Sequence, residues 1–187
     1  ANRIPVSIDR IPQHVRDAFV YIEDERFYEH AGVDWKRTFG AFLNELTHGM
    51  LYGSKQGGST ITQQLIKNVS GDDEQTMDRK MREIFRAADL EKYRTKDEIL
   101  DAYLNCVGMG GSCSGVQAAA LKYFGKDVSE LDLAEAACLA AIPKSPESLN
   151  PFANKEANRE RQLLVLKAMY NNAAISKQQY DDAVNEE

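Results

Sequence analysis

Nowhere in these 187 residues does an apolar run approach the roughly 20 residues that cross a bilayer, so no membrane span is expected within the chain. The alternation of apolar and polar residues that marks strands is missing too. No tandem repeat or low-complexity tract interrupts the sequence. A predominantly helical fold is what remains. Cysteine is scarce: Cys106, Cys113 and Cys138 are too few for a disulfide framework and lack the Cys/His spacing of a zinc site. Cys138 falls in an apolar stretch and reads as a small buried hydrophobe. Cys106 and Cys113 bracket a glycine-rich loop, where a bridge is expected only in an oxidising compartment. Positive charge is in deficit, with 23 Lys and Arg against 29 Asp and Glu, a net −6 that argues against nucleic acid as the main partner. The chain opens Ala1-Asn2-Arg3 with neither an initiator Met nor a signal peptide, and is expected to be a fragment of a longer protein.

What is present is enough for one domain with a real core: 43% of residues are hydrophobic and 28% charged. A helix is predicted over about residues 13–26, with Val15, Ala18, Phe19 and Ile22 on its buried face. The stripe stops at Ile22. Glu23 follows, and ionisable residues then crowd around Phe27 and Tyr28 as far as Asp34, with Gly32 as a terminator. A carboxylate at the edge of an apolar face can be desolvated toward the pKa of a useful base. The competing reading is a charged helix end facing water. Asp34 is expected to cap a second helix bearing Trp35, Phe39, Phe42, Leu43 and Leu46, and the apolar run extends through Met50, Leu51 and Tyr52. Core packing is the default for that run; contact with lipid is the alternative.

Gly53 to Gly58 reads as a flexible loop leading into a helix at Ser59. Thr60 and Gln63 have the spacing of a capping box. Glycines before a helix N-terminus let backbone N–H groups approach a ligand, and the helix dipole favours an anion there. Lys67 lies about two turns further along the same face. The most basic segment is 79–96, where Arg79, Lys80 and Arg86 can all reach Glu83. Met81, Ile84, Ala88 and Phe85 are expected to form the apolar face of this helix. An exposed charge ladder is one reading of it; a wall that holds phosphate is the other. Further helices are predicted over 96–105, 115–126, 131–142, 155–171 and 176–184.

Taken together and in order, these segments resemble the peptidoglycan glycosyltransferase domain, glycosyltransferase family 51, found in class A penicillin-binding proteins and monofunctional transglycosylases. Glu23-Asp24 with Phe27, His30, Gly32 and Asp34 is similar to the family's first motif. Gly57-Gly58-Ser59-Thr60-Ile61-Thr62-Gln63-Gln64-Leu65 with Lys67-Asn68 resembles the second, and Arg79-Lys80 with Glu83 the third. Leu90-Glu91, Lys96, Glu98-Ile99-Leu100 and Tyr103-Leu104-Asn105 continue the pattern. Gly115, Ala118-Ala119 and Tyr123-Phe124-Gly125-Lys126 resemble the fourth motif, and Leu139-Ala140, Pro146, Pro151, Arg161 and Val165-Leu166 the last. One segment departs. Gly108, Gly111-Ser112 and Ser114 stand where the family has an aromatic residue and a glycine-asparagine-glycine turn with tyrosine.

The resemblance implies an all-α, lysozyme-like head with a smaller membrane-proximal jaw, roughly residues 40–75, within a single domain. It implies polymerisation of lipid II into β-1,4 glycan with release of undecaprenyl pyrophosphate, on the extracytoplasmic face of the bacterial plasma membrane. Glu23 is the expected base, opposite Glu83 across a cleft. Asp24, Phe27, His30, Ser59, Thr60, Gln63, Gln64, Lys67, Asn68, Arg79, Lys80 and Arg161 are the expected substrate contacts. Glu83 is expected to orient cations, to act through water, or to hold a divalent ion such as Mg or Mn. Inhibition by moenomycin is also implied, and the tail is of the kind that often leads into a transpeptidase domain, whose presence after Glu187 in the parent chain the sequence leaves open. Two rivals share parts of this pattern. A lysozyme-like hydrolase or lytic transglycosylase would use two carboxylates but no phosphate site. A polyprenyl-phosphate carrier would need the cations but neither glutamate.

Overall fold

The computed structural model describes residues 2–46, 57–71, 74 and 76–186. Nine α-helices are found among them: α1 (Gln13–Glu23), α2 (Trp35–Leu46), α3 (Ile61–Ser70), α4 (Met77–Tyr93), α5 (Lys96–Cys106), α6 (Val116–Phe124), α7 (Leu133–Ala141), α8 (Lys155–Asn171) and α9 (Lys177–Asn185). The all-α expectation holds with one addition. Asn2–Arg3 (β1) pairs in parallel with Cys113–Ser114 (β2), a ladder too short to leave any alternation in the sequence. The chain divides into two compact units, residues 1–25 with 100–187, and residues 26–99.

In the first unit α1, α7 and α8 pack on one another. Small residues make this close approach possible, because α7 buries Ala134, Ala136, Ala137, Ala140 and Ala141 and so presents little more than backbone to its neighbours. Asp132 and Glu135 form the capping box that starts α7, and Pro143 stands in the 3₁₀ turn that ends it. Polar ties fix α8 against α7. Asn158 donates to the carbonyls of Cys138 and Leu149, and Gln162 donates to that of Ala134. The N-terminal segment is held in the same way, by Asn105, which accepts from Val6 N–H and donates to Val6 O.

Several expectations change here. Helix α1 ends at Glu23 rather than at residue 26, with Asp24 as its C-cap at φ −154°. All three cysteines are free thiols, so the loop bridge between Cys106 and Cys113 is not formed. The glycine loop is braced instead by Lys122, which donates to the carbonyls of Gly110 and Gly111, and by the Tyr123 hydroxyl, which donates to Met109 O. Burial pushes the Cys138 thiol up to about 12, in keeping with an inert core residue.

In the second unit α3 packs against α4. The inward face of α4 carries Glu83, Ile84 and Ala87; of the apolar set expected, Ile84 is buried, Ala88 is half-buried, and Met81 and Phe85 are not buried. Met77, Met81 and Phe85 are exposed, as are Trp35 and Phe39 of α2 at 65% and 62%. Core packing therefore does not explain Trp35 or Phe39. The side chains of Phe42, Leu43 and Leu46, and all of Met50, Leu51 and Tyr52, lie outside the described residues, as does most of the 53–58 loop.

Candidate active site

Two groups of site residues emerge, one in each unit. The first gathers at the end of α1. Glu23 is nearly buried and Asp24 fully so. Arg161, on α8, places a guanidinium nitrogen 3.5 Å from Glu23 Oε1. Tyr103 of α5 is fully buried, and burial together with the Glu23 and Asp24 charges raises its phenol well above the ordinary range. It is a neutral hydroxyl beside two carboxylates. The sequence reading noted Tyr103 only as part of a pattern; nothing in its spacing marked it as a neighbour of Glu23.

The second group is built on the capping box of α3. Thr60 Oγ1 accepts from Gln63 N–H and donates to Gly32 O at 2.6 Å, and Gln63 Oε1 accepts from Thr60 N–H. The box spends two of the backbone donors that a helix N-terminus could have offered an anion, so the charge available to a ligand here comes from side chains. Gln63 then extends the chain of contacts by donating its amide to Glu83 Oε1 at 3.2 Å. Arg79 donates to Glu83 Oε2 at 2.6 Å. Lys80 pairs with Glu83 Oε1 and donates to Ser59 Oγ at 2.7 Å. One almost fully buried carboxylate thus orders two cations and an amide. All of these neighbours are donors. Cations already occupy the space a divalent ion would need at Glu83, and the arrangement does not fit one there. Among the described residues no group of three or more His, Cys, Asp or Glu side chains is placed to hold a metal.

Beside this network runs a shallow groove, open to solvent. Ile66, Lys67 and Ser70 of α3 form one wall; Arg79, Arg82, Glu83 and Arg86 of α4 form the other. Four cations face it against one carboxylate. Gln64 is half-buried and Asn68 exposed on α3, and neither lines the groove.

The loop 26–34 is anchored by a network that sequence reasoning missed. Glu91 accepts from Thr62 Oγ1 at 2.6 Å and from Lys96 Nζ at 2.7 Å, and lies 3.9 Å from His30 Nδ1. Lys96 also donates to His30 O and sits 4.6 Å over the Phe27 ring, which His30 meets edge-on. Phe27 and His30 are therefore clamped against α3, α4 and α5. In the sequence Glu91 is a member of the family pattern within a charged helix; its role as a clamp shows only in its partners, 29 residues before and 5 after. Asp34 caps α2 through Arg37 N–H as expected and accepts from Arg26. Burial works against its charge, but the Arg37 N–H and the Arg26 guanidinium outweigh it and hold the carboxyl below its ordinary range. Replacing Glu91 by Gln should cost about 2 kcal/mol in denaturant unfolding. That is less than a fully buried broken pair, because Lys96 keeps 21% of its side-chain surface in water. A loss below about 0.5 kcal/mol would show that the clamp contributes little.

Helices of this order, with a capped α3 feeding a buried glutamate ringed by cations, define a family. A transglycosylase family model matches residues 1–170, and the chain belongs to that family, the peptidoglycan glycosyltransferases. Among particular relatives, penicillin-binding protein 1A of Clostridium perfringens is 46% identical over 99% of this chain and 28% of its own length. That of Aquifex aeolicus is 45% identical over 98% of this chain and 25% of its own. Penicillin-binding protein 1F of Bacillus subtilis is 43% identical over 94% and 24%. The crystal structure of penicillin-binding protein 1A from Haemophilus influenzae aligns over 100% of this chain and 18% of that one, with 27% identity and a TM-score of 0.59. The chain thus spans about a quarter of the length of the curated relatives it matches.

Proposed function

We propose that this domain polymerises lipid II into β-1,4 glycan strands. The observation that carries the reading is the Glu83 network with its adjoining cationic groove, built into a chain whose net charge is −6. A glycan-cleaving enzyme has no use for such a phosphate site, whereas a donor that departs as a diphosphate needs one. In the proposed reaction the acceptor's 4-hydroxyl oxygen attacks the anomeric carbon of the donor sugar. The bond from that carbon to the diphosphate oxygen breaks, and the hydroxyl proton passes to Glu23. Attack opposite the leaving group turns the α-linked donor into a β-linked product, and undecaprenyl pyrophosphate leaves. Glu83 holds Arg79 and Lys80 toward the departing charge, with Lys67 on the other wall. Asp24, Phe27, His30, Ser59, Thr60, Gln63, Gln64, Asn68 and Arg161 are the remaining proposed substrate contacts, of which Gln64 and Asn68 lie outside the groove lining.

The proposed setting is the outer face of the bacterial plasma membrane. Exposed Trp35, Phe39, Met77, Met81 and Phe85 favour a face that meets lipid, and the proposed jaw, residues 40–75, belongs to the same unit. Among the described residues no helix is long and apolar enough to cross the membrane. The share of each relative left unmatched leaves room for an anchor and a transpeptidase domain in the parent chain. Given lipid II in detergent, the protein should yield long glycan strands and free undecaprenyl pyrophosphate, read by gel and chromatography, and should leave finished glycan uncut. Shortening of finished strands with no polymer formed would overturn the reading in favour of a lysozyme-like hydrolase.

A further inference from the structure

The groove between α3 and α4 extends beyond the residues that the family resemblance singled out. On α4, residues 79, 82, 83 and 86 share one face, and from Arg79 to Arg86 the helix advances about 10 Å. The cations along it are not equivalent. Arg79 is engaged by Glu83, so much of its charge is already balanced, and Lys80, which Glu83 also engages, does not line the groove. Lys67 and Arg86 have no ion-pair partner among the described residues, yet both line the groove, on opposite walls. The uncompensated positive charge therefore lies toward Arg86, a helical turn past the glutamate. A monophosphate needs only one end of such a track; a diphosphate has charge for both.

We infer that Arg86 is a diphosphate-binding residue. Resting on the reading proposed above, Arg79 takes one phosphate of a lipid-linked diphosphate, and Arg86 with Lys67 takes the other. A guanidinium suits that place because it can present two parallel N–H donors to one phosphate.

The test is titration calorimetry of the 187-residue chain with inorganic pyrophosphate, orthophosphate and farnesyl diphosphate, comparing parent, Arg86→Gln, Arg86→Lys, Lys67→Ala and, as a control, the exposed Arg94→Gln. Arg86→Gln should weaken pyrophosphate binding about tenfold, leave orthophosphate within about twofold, and flatten the salt dependence of pyrophosphate binding. Arg86→Lys should recover part of the loss, and Arg94→Gln should show none. An equal loss for farnesyl diphosphate places the contact at the diphosphate; a loss for farnesyl diphosphate alone would mean that Arg86 serves the lipid, and the assignment would fall. If Arg86→Gln binds pyrophosphate as the parent does while Lys67→Ala does not, Arg86 is merely solvated and the groove reading survives without it. A parent that binds neither diphosphate overturns both the inference and the phosphate site on which it rests.

Discussion

Glu23→Gln should slow polymerisation of lipid II by about 10²- to 10⁴-fold, the range expected when a positioned general base is lost. The substitution keeps the size and hydrogen-bonding ability of the side chain and removes its charge, and with it the capacity to accept the proton. Glu23 is suited to this test because its surroundings are built and nearly closed. It ends α1, whose Val15, Ala18 and Phe19 are buried, and Arg161 reaches it from α8. The buried face of α1 survives in the glutamine variant and Arg161 can still donate to the amide oxygen. The ion pair that is lost is long, at 3.5 Å, so the thermal melt and the affinity for a diphosphate lipid should stay close to those of the parent. A variant that polymerises within a few-fold of the parent would remove Glu23 from the role of base. The cationic groove lies wholly in residues 26–99 and would be untouched by that result.

How far such a site can be read without coordinates depends on whether each residue announces itself through near neighbours in the chain. The capping box of Thr60 and Gln63 could be read because its two partners are three residues apart, and α8 ran from Lys155 to Asn171 as its pattern indicated. The face of α4 was misread for a physical reason. Local pattern puts Met81 and Phe85 on the apolar face with Ile84, but the buried positions belong to Glu83, Ile84 and Ala87, and Met81 and Phe85 turn outward. Local rules fail where a site overrides them. Glu91 and Tyr103 belong to the family pattern, but their contacts are not legible in the sequence because key partners are remote: Thr62 for the one, Glu23 and Asp24 for the other. The end of α1 was overrun because charged residues do not break a helical pattern, whereas the chain turns at Asp24 all the same.

The largest loss of stability is expected from a residue with no side chain. Gly32 has φ +88°, a conformation that costs an L-residue about 1 kcal/mol or more. Space is the heavier constraint. A Cβ added there would come within 2.6 Å of the Ala87 carbonyl carbon and 2.8 Å of the Ala88 nitrogen, both backbone atoms of α4 that cannot rotate away. Gly32→Ala must therefore push the loop off α4, and the loop is tied down on both sides: Gly32 O accepts from Thr60 Oγ1, and Gly32 N–H donates to His30 Nδ1. Strain and overpacking together should cost about 3 kcal/mol or more in denaturant unfolding. The loss should come with faster amide exchange in the 26–34 loop and at the start of α3. Gly71→Ala provides the comparison. Gly71 also has positive φ, at +63°, but among the described residues nothing lies within 4 Å of its would-be Cβ, so only the backbone term of about 1 kcal/mol applies. The gap between the two variants isolates the contact with α4. If Gly32→Ala costs no more than Gly71→Ala, that contact does not hold the loop, and the clamp on Phe27 and His30 rests on Glu91 and Lys96 instead.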